Sequence, residues 1–104
     1  MHILLVEDSV SVGRAMKSLL NACGADITGP VATTTEAYHL IAERNFDAAL
    51  VHINLRGGER ADGLIDRLHS QGVRVVVTAM LVMTAPNIPQ WVKQKGELGN
   101  AVLP

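Results

Sequence analysis

Three short features of this 104-residue chain carry groups able to do chemistry: the adjacent acids Glu7-Asp8, the imidazole of His52, and the hydroxyl of Thr78. Two neighbouring carboxylates can hold a hard cation such as Mg²⁺ through oxygen, usually with several waters retained. A hydroxyl close by can donate to a phosphoryl oxygen. A carboxylate between them would accept a phosphoryl group as an acyl phosphate, but the middle feature supplies His52 instead. Each feature follows a short apolar run: Ile3-Leu4-Leu5-Val6, Ala48-Ala49-Leu50-Val51 and Val75-Val76-Val77. Ligands of open α/β sheets sit outside the carboxyl ends of the strands. If the three runs are parallel strands, their polar ends meet at one edge.

The elements needed to position them are legible in order. Residues 2–6 form a first strand, ended by Glu7-Asp8; Asp8 or Ser9 can cap the helix after it. Val12, Met16, Leu19, Leu20 and Cys23 make one apolar stripe, and Gly24 stands where a helix C-terminus favours glycine. Residues 25–29 suggest a weaker second strand, stopped by Gly29-Pro30. Thr33 and Glu36 have capping-box spacing, opening a helix that turns Ala37, Leu40 and Ile41 inward and runs to about Asn45.

The stretch 46–58 holds the third strand, whose apolar run lacks polar alternation and so suits a strand covered on both faces. Asp62-Gly63 opens a helix with Leu64, Ile65 and Leu68 on one face, ending near Gly72. Residues 73–77 are the clearest strand, finishing at Thr78-Ala79. The order β-α-β-α-β-α-β predicts an α/β fold with a parallel sheet and helices on both faces. Beyond Thr78 the stretch 79–83 stays apolar, and Pro86 and Pro89 break the pattern after it. A short helix is expected over 91–97, a turn at Gly99-Asn100 and a last strand at Ala101-Val102-Leu103.

Composition narrows the function classes. The length fits one domain, 1–104, and 48% hydrophobic residues fit a globular core. A formal net charge of −1 with nine scattered basic residues gives no footprint for nucleic acid. One Trp, one Tyr and one Phe are too few for a base-stacking platform. No apolar run approaches the roughly 20 residues that span a bilayer. The lone Cys23 forms no intramolecular disulfide, and no signal peptide is visible, so a cytoplasmic setting is expected.

Ile3–Asp8 as ILLVED, the turn and helix after it, Gly29-Pro30, the 46–58 stretch, Asp62-Gly63, Val75 to Ala79 as VVVTA, and Val102 to Pro104 together resemble the receiver domain of two-component response regulators. The resemblance spans essentially the whole chain. It implies a flavodoxin-like, doubly wound sheet of five parallel strands in the order 2-1-3-4-5, and a part in phosphorelay signalling. It places Glu7 and Asp8 at the acidic pair that binds Mg²⁺, and Thr78 at the hydroxyl that closes on the phosphoryl group. The backbone carbonyl of Asn54 would be a further metal ligand.

The chain departs from the family pattern twice. His52 stands at the phosphoacceptor aspartate, and the family's lysine would fall just after Pro104, where the sequence has ended. The helix after the fifth strand is absent as well. With the acyl-phosphate nucleophile and a metal ligand both replaced, ordinary aspartyl phosphorylation is not expected, and Mg²⁺ binding is expected to be weak.

The bland reading of His52 is a neutral imidazole hydrogen-bonded at a strand end. A metal ligand beside Glu7 and Asp8 is a second reading, since imidazole suits Zn²⁺ or Ni²⁺ better than Mg²⁺; phosphorylation of His52 is a third. Adjacent acids before a helix also serve the helix dipole alone. Gly57-Gly58 matches no phosphate-binding fingerprint and reads as a turn.

The expected function is therefore a receiver-like signalling protein rather than an enzyme. It would act by contact with a sensor histidine kinase, a phosphotransfer protein or a downstream target. The missing last helix and the apolar stretch 80–83 would leave a sheet face bare, from which a homodimer is expected. The alternative is a small metal-dependent α/β enzyme built on Glu7, Asp8 and His52.

Overall fold

The structure, a computed structural model, describes residues 1–55 and 58–78. Within them the apolar runs form four strands, β1 (His2–Val6), β2 (Asp26–Val31), β3 (Ala48–His52) and β4 (Arg74–Thr78), in the order β2-β1-β3-β4. Every pairing is parallel. The connections carry α1 (Val10–Ala22), α2 (Thr34–Glu43) and α3 (Asp62–Ser70). The fifth strand expected at 101–103, the helix at 91–97, the turn at Gly99-Asn100, the 80–83 stretch and Gly57 lie outside the described residues.

Strand side chains alternate between faces, and the alternation divides the core in two. Ile3, Leu5, Ala48 and Leu50 pack with Met16 and Leu20 of α1. Leu4, Val6, Ala49 and Val51 pack on the other face with Ala37 and Ile41 of α2 and with Leu64, Ile65 and Leu68 of α3. The central strands β1 and β3 are thus covered on both faces, which is why their sequence runs apolar without alternation. The doubly wound architecture expected from the sequence is present in these strands and helices.

The helices begin where local chemistry lets them. Ser9 caps α1, its hydroxyl accepting from the Val12 N–H at 3.3 Å. Thr33 caps α2, accepting from the Glu36 N–H at 3.2 Å, while its hydroxyl donates to Glu36 Oε1 at 3.2 Å. Gly24 ends α1 with φ +90, and its N–H donates to the Asn21 carbonyl at 3.0 Å. The N-cap position of α3, Ala61, makes no side-chain cap bond, but Asp62 sits in the first turn, where the dipole favours an acid. Arg60 hydrogen-bonds Asp62 and holds its carboxyl below the usual carboxylate range.

Three local expectations need correction. β2 does not stop at Gly29-Pro30 but runs on to Val31, because the pair is absorbed as a bulge: Leu4 pairs with Thr28 and Val6 with Val31. One extra β2 residue is accommodated there, as a bulge allows. Val12 does not face inward; it is 40% exposed, and Gly13 takes the buried place beside Met16. α2 ends at Glu43, with Arg44 already extended, rather than at Asn45.

Gly13 is buried because the Pro30 ring packs where its side chain would be. A Cβ built there lies 2.8 Å from Pro30 Cγ and 2.9 Å from Pro30 Cβ. In an open helix Gly→Ala would gain about 1 kcal/mol of propensity. Overpacking against a rigid ring works against this by typically 1–3 kcal/mol. Gly13→Ala is therefore expected to destabilise the chain by about 1 kcal/mol in urea denaturation, and a net gain in stability would contradict this packing of Pro30 on α1.

Candidate functional site

The carboxyl ends of β1, β3 and β4 bring the sequence-predicted residues together, and alternation says on which face. Leu5, Leu50 and Val76 belong to the α1 side of the sheet. Two residues further on, Glu7, His52 and Thr78 fall on that same side. The register is direct, with His52 opposite Thr78. The Ile53 N–H donates to the Thr78 carbonyl at 3.0 Å, extending the ladder one step past β3.

Glu7 is set by the bulge in β2. Because the extra residue advances Val31 into register with Val6, the Val31 carbonyl accepts the Glu7 N–H at 2.9 Å. This fixes the backbone of the first residue beyond β1. The residue is only 5% exposed, the one charged residue of the buried set among the described residues. Its Oε2 accepts from the Ser9 N–H at 3.0 Å, and its Cγ lies 3.7 Å from the point where a Gly13 Cβ would be. The acid thus tucks under the start of α1, where free N–H groups and the helix dipole favour negative charge.

A carboxylate oxygen of Glu7, one of Asp8 and a ring nitrogen of His52 all lie within 4.8 Å of one another. His52 and Asp8 are half-buried. His52 Nδ1 hydrogen-bonds the backbone carbonyl of Asn54. A carbonyl oxygen only accepts, so Nδ1 carries a proton, and in the neutral ring the lone pair is on Nε2. The ring is thus a strand-end imidazole with a hydrogen-bond partner, and it stands beside two acids.

Below the site, residues 53–55 pair back against residues 59–61. Asn54 and Arg60 form an antiparallel bridge, the Leu55 N–H donates to the Glu59 carbonyl at 2.7 Å, and the Ala61 N–H to the Ile53 carbonyl at 3.0 Å. Arg60 also reaches the side-chain oxygen of Asn54 at 3.3 Å. Glu59 Oε1 accepts from the Thr34 N–H at 2.9 Å, tying this loop to the first turn of α2. Neither Glu59 nor Pro30 stands out in the sequence as a site-supporting residue. Their partners, Thr34 and Gly13, are far along the chain, and no local pattern signals such contacts.

The arrangement fits Mg²⁺ poorly. Mg²⁺ demands near-octahedral oxygen coordination, yet a nitrogen stands among the three converging groups. The Asn54 carbonyl, the expected further ligand, accepts from His52 through one of its two lone pairs. A shallow groove lined by His2, Asp26, Thr28 and Phe46 lies at the opposite, amino edge of the sheet and plays no part in this cluster.

The architecture and the polar cluster together define a doubly wound, flavodoxin-like α/β domain with its candidate site at the carboxyl edge of the sheet. No protein-family model matches the chain, and no curated protein does. Solved structures are similar to it. SdrG from Sphingomonas melonis Fr1 is 27% identical, with a TM-score of 0.69 over 74% of this chain and 65% of that one. The PhyR stress response regulator is also 27% identical, with a TM-score of 0.67 over 73% of this chain and 30% of that one. A CheY-like response regulator receiver domain from Methylobacillus flagellatus shares the fold over 100% of this chain and 81% of that one, at 18% identity and a TM-score of 0.69. The chain spans less than two thirds of the length of the first two. Its fold is that of a response-regulator receiver domain, as the sequence resemblance implied. No helix among the described residues is long and apolar enough to cross a membrane.

Proposed function

We propose that this chain is an atypical receiver domain in two-component phosphorelay signalling, one that acts through protein–protein contacts without ordinary aspartyl phosphorylation. The observation that carries the reading is the imidazole at the carboxyl end of β3, in register with Thr78 and converging with Glu7 and Asp8. An imidazole provides no carboxylate oxygen to form an acyl phosphate, and phosphoryl transfer depends on charge and positioning at that point. The partners this reading calls for are a sensor histidine kinase, a phosphotransfer protein or a downstream target. Its support is the kinship in fold with response regulators, one of them a stress response regulator. Mg²⁺ is at most a weak ligand in this reading, held by Glu7 and Asp8. The chain works as a signalling module rather than an enzyme.

The test is exposure of the full chain to acetyl phosphate and Mg²⁺, followed by intact-mass measurement with and without hydroxylamine, which cleaves acyl phosphates. No hydroxylamine-labile phosphate is expected. Stoichiometric labile phosphate on the native chain would overturn the reading.

A further inference from the structure

We propose that Glu7, Asp8 and His52 form a divalent-metal site that takes an imidazole-favouring ion of the Zn²⁺ class in preference to Mg²⁺. The inference stands on the geometry of the three side chains and holds whether or not the chain signals.

Three observations converge on it. The first is proximity: one ligand atom from each residue lies within 4.8 Å of the other two. A metal with bonds near 2.0–2.2 Å to nitrogen and carboxylate oxygen holds its ligand atoms at separations shorter than this, so the groups need only a small inward movement. The second is Glu7. The residue is 5% exposed, and its carboxylate takes part in neither of the ion pairs His2–Asp26 and Arg60–Asp62. The Ser9 N–H occupies Oε2. A carboxylate has about four lone-pair sites, so most of its acceptor capacity remains. Among the described residues Glu7 has no counter-charge; burying a carboxylate that way is unfavourable, and a second acid at Asp8 makes it more so. A bound dication relieves both.

The third is the state of His52. Its Nδ1–H donates to the Asn54 carbonyl, which is the second contact that fixes a metal-binding histidine in the tautomer with its other nitrogen free. Zn²⁺ accepts both imidazole nitrogen and carboxylate oxygen, and a site with three protein ligands leaves a fourth position to water. Imidazole ranks Zn²⁺ and Ni²⁺ above Mg²⁺, which prefers oxygen throughout.

The experiment uses the full chain after chelator treatment, titrated calorimetrically with zinc sulfate and, separately, magnesium chloride. One equivalent of Zn²⁺ is expected to bind at least tenfold more tightly than Mg²⁺. His52→Ala should weaken Zn²⁺ binding at least tenfold, and Asp8→Asn should weaken it as well. His2→Ala, which removes the exposed imidazole beside Asp26 at the opposite edge, should leave it unchanged. If either site variant fails to fold by circular dichroism, the native chain still decides the matter through nitrogen NMR of its histidine rings. A Zn²⁺-dependent shift of the His52 Nε2 resonance supports the site. An unmoved His52, Zn²⁺ affinity unaltered in a folded His52→Ala variant, or Mg²⁺ binding as tight as Zn²⁺ overturns it.

Discussion

Gly29→Ala is expected to remove about 3 kcal/mol or more of stability, because the added methyl group meets the closest contact of any described glycine. Gly29 has φ +113, a region in which a side chain is strained at a cost of order 1–3 kcal/mol. A Cβ there would also stand 2.4 Å from the Leu5 carbonyl oxygen and 3.0 Å from the Val31 nitrogen. Both neighbours are backbone in the β1–β2 ladder, so neither yields without breaking the pairing. A useful comparison is Gly24→Ala, where φ is +90 but nothing lies within 4 Å of the new Cβ. That change carries backbone strain alone, of about 1–2 kcal/mol.

Domains are stable by only about 5–15 kcal/mol, so a loss of 3 is severe. With urea slopes of about 1–3 kcal/mol per molar, it lowers the midpoint by roughly 1–3 M. A Gly29→Ala midpoint no lower than that of Gly24→Ala would contradict the bulge in β2. The substitution should also reach the site, since the bulge is what offers the Val31 carbonyl to the Glu7 N–H.

His52→Asp is expected to make the stability of the chain depend on Mg²⁺. The change puts a third carboxylate beside Glu7 and Asp8 and removes the imidazole bond to the Asn54 carbonyl. Like charges held at this range oppose one another, so without a cation the variant should melt below the native chain. Three oxygens and a released backbone carbonyl are the hard-ligand set that Mg²⁺ prefers. Binding to the folded state alone stabilises by RT ln(1 + [L]/Kd), about 2.7 kcal/mol at a hundredfold excess over Kd. Thermal melts should therefore show several degrees of recovery with Mg²⁺ for the variant and little change for the native chain. Equal Mg²⁺ shifts in both proteins would contradict the poor fit of Mg²⁺ to the native site.

What the sequence made legible was whatever depends on near neighbours. The apolar runs of β1, β3 and β4, the caps at Ser9 and Thr33, the glycine that ends α1 and the inward faces of α2 and α3 all come from local pattern. Because parallel strands put their ends on one edge, the meeting of Glu7, Asp8 and His52, with Thr78 in register beside His52, was legible too. What escaped depends on distant partners. Gly29-Pro30 reads as a stop, and becomes a bulge only because Leu5 and Val6 of β1 offer a ladder on which to continue. Val12 completes a regular apolar stripe in the sequence, yet the Pro30 ring draws Gly13 against the sheet and turns Val12 to the surface. The bond from Thr34 to Glu59 joins residues 25 apart with no pattern to announce it. The tautomer of His52 is local in sequence, but only the turn after β3 brings the Asn54 carbonyl to Nδ1.

The receiver scaffold proposed above offers no carboxylate at the position of the phosphoacceptor, where His52 stands. Trifluoroberyllate, which mimics a phosphoryl group by coordinating a carboxylate oxygen, tests this most directly. Amide NMR spectra of the native chain and of His52→Asp are recorded with Mg²⁺, before and after the beryllium and fluoride salts are added. The prediction is that amides at the ends of β1, β3 and β4, including Glu7, Ile53 and Thr78, stay in place in the native chain and shift in the variant. Saturable shifts of those same amides in the native chain would contradict the claim.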